Sequence, residues 1–183
     1  MLSINVTIVP EMWDEDNELF IEEQTVTLEL EHSLVSLSKW ESKWKRSFMS
    51  SKQEMTAEET IDYIKFMTIT PNVDSDVYEK LSVDNVTEIN NYIADNQTAT
   101  TFSDKGGKKR NNEIITSEII YYWMTSLGIP FDPCETWHLS RLIALIRVCS
   151  IKNAPTKKKS ARELSNQYAA LNAARRQQLN SKG

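Results

Sequence analysis

The sequence predicts a mainly helical α+β fold, with an N-terminal β-hairpin packed on a central helical hairpin and a loosely attached C-terminal helix. Three observations predict it. Leu2, Ile4, Val6 and Ile8 alternate with Ser3, Asn5, Thr7 and Val9, the period of a half-buried strand. Glu118 to Asn153 holds the densest apolar and aromatic content, arranged as two helix-period patterns around a proline-punctuated turn. Beyond Ala154 the pattern thins to a narrow apolar stripe in a polar, Ala-rich segment. The expected division is a mixed α+β domain over residues 1–153 and a basic linker and helix over residues 154–183.

The first strand should close at Pro10, which has no N–H to give a ladder. An acidic connection from Glu11 to Glu18 follows, with Met12 and Trp13 its only core signals. A second strand region is expected over Leu19 to Leu30, where Val26, Leu28 and Leu30 alternate with Thr25, Thr27 and Glu29. A lone hairpin is marginal in water, so this one must pack on helices or pair with another chain.

Leu34 to Trp44 reads as a short helix, with Leu34, Leu37, Trp40 (or Glu41) and Trp44 on one face and Lys39, Lys43 and Lys45 elsewhere. Thr56-Ala57-Glu58-Glu59 is a capping box, opening a helix with Ile61, Ile64 and Met67 on one side and Pro71 beyond its end. Asp84 is the candidate cap of a further helix bearing Val86, Ile89, Tyr92 and Ile93. Asn96 to Asn112 is polar, with adjacent glycines and a basic cluster, and reads as a surface loop. In the central hairpin, Ile115, Ile119, Tyr122, Trp123 and Leu127 precede the stop Gly128-Ile129-Pro130. Leu139, Leu142, Ile143, Ile146 and Cys149 form the second stripe. Ser160-Ala161-Arg162-Glu163 is another capping box, and the helix it opens carries Leu164, Tyr168 and Leu171 on one stripe.

Charge is distributed unevenly. The net charge is −5. From His138 onward there are ten Lys/Arg against one acid, Glu163, and before it eleven against twenty-five. Such polarity can pair the two ends of the chain or direct the tail to an acidic partner, and it is not the footprint of a generally basic nucleic-acid binder. No run of eighteen apolar residues exists, so no transmembrane helix is expected, and the N-terminus lacks a secretory pattern. Two cysteines suit a cytosolic compartment, and Asn5, Asn85 and Asn96 then have no reason to be glycosylated.

Cys134, His138, Cys149 and His32 have the atoms for zinc, but their spacing matches no usual ligand set. Cys134 as a nucleophile lacks an orienting third group. Glu11, Asp14, Glu15, Asp16 and Glu18 lack the calcium-loop register, and Lys105 to Arg110 lacks the frame of a phosphate loop. No catalytic, metal or cofactor residue is assigned, and an enzyme is the least favoured class. Trp40 and Trp44, amid Lys39, Lys43, Lys45 and Arg46, have the make-up of a base-stacking patch without an accompanying nucleic-acid motif. Of five tryptophans, most are expected in the core or at its edge, with one or two at an interface.

Several segments, taken in order, resemble tail assembly chaperones of long-tailed bacteriophages. They are LEHSLVSLSKWESKWKRSF at Leu30 to Phe48, EIITSEIIYYWM at Glu113 to Met124, WHLSRLIALIRVCSIKN at Trp137 to Asn153 and LNAARR at Leu171 to Arg176. The resemblance implies a non-enzymatic morphogenesis factor in the host cell cytoplasm. It would bind the tape measure protein, a very long helical chain, and keep it soluble while tail tube subunits assemble around it. It also implies a short form beside a frameshift-extended one. The tail tube protein and a second copy of the chain are further expected partners; membrane and nucleic acid are not. The family has no catalytic residues to carry over. The matched and neighbouring side chains Trp40, Trp44, Tyr122, Trp123, Trp137, Arg141, Arg147, Leu164, Tyr168, Leu171, Arg175 and Arg176 are partner-binding candidates. The alternative expectation is a structural tail or neck component of the virion. A third class, a nucleic-acid-binding regulator, predicts salt-sensitive binding through Lys157, Lys158, Lys159, Arg162, Arg175 and Arg176.

Overall fold

A computed structural model describes residues 1–14, 18–50, 53–102, 114–154 and 161–179. The chain forms two units, Met1–Ser150 and Ile151–Gly183. The mainly helical α+β class holds: two short antiparallel ribbons are followed by seven helices among the described residues.

In the larger ribbon, β1 (Leu2–Val9) runs antiparallel to β4 (Gln24–Leu30), with Leu2, Ile4 and Val6 opposite Leu30, Leu28 and Val26. Alternation sends this set inward and leaves Asn5 and Thr27 outside, where the Thr27 hydroxyl donates to Asn5 Oδ1 at 2.8 Å. Register shifts between Thr7 and Val9, and a separate ribbon follows, β2 (Met12–Asp14) with β3 (Leu19–Ile21). The expected strand Leu19 to Leu30 is therefore two strands, and the connection between the main strands is itself paired. The far edge of β4 is covered by the segment after α2: Ile69 N–H donates to the Glu29 carbonyl at 2.8 Å and Glu31 N–H to that of Met67 at 2.9 Å.

Helix α1 (Leu34–Trp44) begins at a buried capping box, Ser33 with Ser36, and ends at Lys45 in the left-handed conformation. Its apolar residues part to two cores. Trp40 packs with Ile4, Leu28, Tyr63, Met67 and Ile89, whereas Leu34 and Leu37 pack with Ile120, Met124, Leu139 and Leu142. The first core joins the sheet to α2 (Ala57–Met67), α3 (Asp76–Glu79) and α4 (Val83–Ala94). The second holds α5 (Ser117–Leu127), a 3-10 turn at Cys134–Thr136 and α6 (Leu139–Asn153). The sheet's packing partners thus differ from the expected helical hairpin. The organising element is α1, the wall shared by both cores, because its short turn spacing presents Leu34/Leu37 and Trp40 to different neighbours.

The capping box at Thr56 is present, with reciprocal bonds to Glu59 at 3.2 and 2.7 Å. The cap of α4 is Ser82 rather than Asp84: its hydroxyl accepts from Asn85 N–H at 3.1 Å, while Asp84 lies in the first turn. On α5 the buried face is Ser117, Ile120 and Met124, one position removed from the expected stripe, so Ile119 is only half-buried and Tyr122 turns outward. Gly128 closes α5 at φ +67°, the backbone region glycine reaches without strain. The α6 stripe matches the expected one, with Leu139, Leu142 and Ile146 buried and Ile143 and Cys149 at its margin. The Ser160 capping box and the Lys105 to Arg110 run lie outside the described residues. In the second unit, α7 (Ala161–Leu179) displays Tyr168 and Leu171 to solvent.

Candidate functional site

The structure sorts the nominated aromatics by whether packing uses them. Trp40 is fully buried: its Nε1–H donates to the Glu59 carbonyl at 2.9 Å, and its ring meets Phe48 edge-on at 5.3 Å. A partner cannot reach it, and neither the interface nor the base-stacking role fits. Trp44 is half-buried, donating to Asp62 Oδ2 at 3.1 Å. Asp62 also pairs with Lys43, so that lysine serves the fold. Trp123 edges the second core. Trp137 lies beneath the Arg141 guanidinium at 4.2 Å, and Arg147 lies over Phe102 at 4.1 Å, stacked geometries in which a cation shields a ring.

What remains on display is smaller. Tyr122 is 68% exposed on a helix whose opposite face is buried, with Phe131 exposed nearby in sequence on the turn after α5. In the second unit Tyr168, Leu171, Arg175 and Arg176 are exposed, and the side chain of Leu164 lies outside those described.

Sequence reasoning missed the β2–β3 ribbon. Trp13 and Phe20 are cross-strand partners, 56% and 55% exposed, with Met12 and Leu19 also exposed. The available signal was an apolar pair, Met12-Trp13, and an apolar triplet, Leu19-Phe20-Ile21, on either side of an acidic turn. Of the acidic cluster, Glu15 and Asp16 lie outside the described residues, and Glu11, Asp14 and Glu18 belong to this ribbon or its flanks.

The polar interior is committed to structure. Glu41 is buried, and its two oxygens accept from Phe48 N–H at 2.9 Å and Ser117 N–H at 2.7 Å, tying the end of α1 to the start of α5. It lines a hollow of about 670 Å³ with Arg46, whose guanidinium pairs with Glu59 at 2.8 Å. His32 and His138, distant in sequence, stand ring to ring at 5.1 Å. A bridge between Ser33 and His138 and a 2.7 Å bond from Leu139 N–H to the His32 carbonyl join the starts of α1 and α6. His32 Nδ1 bonds the Tyr63 hydroxyl, whereas His138 Nδ1 faces Ser140 N–H at 3.3 Å and Nε2 faces the Tyr92 carbonyl at 3.1 Å. His138 in its Nε2–H form satisfies both of its contacts.

Burial lowers the His32 pKa to about 4, with His138 adding a smaller push in the same direction. Burial raises Tyr63, Tyr92 and Tyr121, the last to about 12, and hydrogen bonds to Glu31 and Glu135 add to the rise of Tyr92 and Tyr121. At neutral pH these side chains act as uncharged hydrogen-bonding groups. No group of three or more metal-ligating side chains converges among the described residues, and Cys134 is packed in the second core. No described helix is long and apolar enough to cross a membrane. The arrangement offers surfaces for association and a polar interior given to packing; comparison with protein-family models, curated proteins and solved structures finds no match to this chain.

Proposed function

We propose that this chain is a tail assembly chaperone of a long-tailed bacteriophage, acting in the host cytoplasm by holding the tape measure protein soluble while tube subunits assemble around it. The observation that carries the reading is Tyr122. It lies within EIITSEIIYYWM, one of the segments that resemble the family, and is exposed on α5, whose opposite face is buried. An exposed aromatic with a polar tip on a packed helix suits adhesion to the apolar stripe of a long helix. The displayed Tyr168 and Leu171 of α7 offer a second contact of the same kind.

The test is coexpression of the chain with the tape measure protein of the same phage, scored by soluble recovery and copurification, beside mass spectrometry of purified virions. The reading expects soluble, copurifying tape measure protein, less of it with Tyr122→Ser, and no copies of the chain in finished particles. Insoluble tape measure protein together with several copies per virion would leave a structural tail or neck protein instead.

A further inference from the structure

We propose that the β2–β3 ribbon of one copy receives α7 of a second copy, so that the chain self-associates head to tail. Two independent features meet in this pairing. The ribbon offers the exposed pair Trp13 and Phe20, and the exposed Glu11 and Glu22 flank it, immediately before β2 and immediately after β3. Helix α7 offers Tyr168, Leu171 and Arg175, spaced three and seven residues along one stripe, with Arg176 beside them. The stripe from Tyr168 to Arg175 rises about 10 Å, and a three-residue strand spans about 10 Å.

Charge selects the occupant. Glu11 to Glu23 contains seven acids and no Lys or Arg, whereas Ile151 to Gly183 contains eight Lys/Arg and one acid. Ribbon against ribbon, or tail against tail, sets like charges opposite one another; ribbon against tail cancels them while covering aromatic surface on both sides. Because the two surfaces differ, the contact is heterologous, and repeated copies add to a ring or a growing chain. The contact is small and charge-steered, so it should be weak and sensitive to salt.

The experiment uses the full chain alone, so it stands apart from the tape measure test. Sedimentation equilibrium at low salt should give a mass above 21.1 kDa that climbs with concentration and returns to the monomer at high salt. Trp13→Ser/Phe20→Ser and, separately, Arg175→Glu/Arg176→Glu should each stay monomeric, and their equimolar mixture should form a heterodimer through the one intact surface left on each. Glu11→Lys/Glu22→Lys serves as a second ribbon variant if the aromatic one does not fold, and it too should stay monomeric alone. Mixed with Arg175→Glu/Arg176→Glu, it should associate both through the intact ribbon and tail and through the reversed charges. A wild type monomeric at every concentration overturns the proposal. So do variants that associate as the wild type does, and a mixture that stays monomeric, the result expected if the tail covers the ribbon of its own chain.

Discussion

In the ribbon of β1 and β4, the inward pairs Ile4–Leu28 and Leu2–Leu30 are roofed by α2 and α4, and Val6 and Leu28 are wholly removed from solvent. The β2–β3 ribbon has the same antiparallel chemistry and a richer aromatic pair, yet Trp13 and Phe20 face water. The same contrast separates Trp40 from Trp13. Both are large amphipathic rings near charged residues, but one has a carbonyl for its N–H and a ring cage around it, and the other lies exposed beside its strand partner Phe20. A cross-strand aromatic pair contributes about 0.2–1 kcal/mol, whereas burying such a ring contributes several times that. The main ribbon therefore carries the packing, and the small one leaves its aromatic pair exposed.

The largest expected effect breaks this comparison at its buried side. Trp40→Ala should cost about 3–5 kcal/mol of stability, by lost burial and a cavity at the junction of α1, α2 and the sheet. Urea unfolding measures it, and a loss near zero would contradict the core placement. Next is a pH effect confined to the body. His32 in the folded chain binds its proton only near pH 4, against 6.5 unfolded, so the unfolded state takes up protons first as pH falls. Stability is fully present above about pH 6.5 and should fall between there and pH 4, by roughly 3 kcal/mol at most. Comparing wild type with His32→Asn isolates the effect, because the variant should lose that part of the slope.

A smaller loss, about 2 kcal/mol, is expected for Glu41→Ala, which leaves the Phe48 and Ser117 N–H groups without their acceptor. Glu41→Gln should recover part of it, since the amide oxygen can still accept one of the two bonds. Smallest of all is Trp13→Ser, expected to change stability by no more than about 0.5 kcal/mol. A loss as large as that of Trp40→Ala would show that the small ribbon also carries the fold and would erase the contrast.

Much of the fold could be read locally. The alternation from Leu2 to Val9, the Thr56 capping box and the α6 stripe each depend on residues within a turn or a strand of one another. The failures were also local, and instructive. Tyr122 and Ile119 fit a helical stripe as well as Ile120 and Met124 do, because α5 is apolar on more than one side; only the position of α1 chooses between the phases. Asp84 and Ser82 are both competent caps, and the backbone entered the helix at the earlier one. The candidate surface was legible only in part. Trp40 carries the composition of an interface residue, and nothing in its neighbours along the chain reveals that Tyr63 and Phe48 enclose it.

By itself, then, the sequence determined the class, the first strand, the starts of α1 and α2 and the opposite charge of the two ends, since periodicity, caps and charge runs are properties of neighbours in the chain. Tertiary structure decided that α1 is the wall between two cores, that His32 meets His138, that Glu41 ties α1 to α5, and which tryptophans remain outside. Those juxtapositions join residues tens of positions apart, and they are set by which apolar faces can be covered together rather than by any local preference.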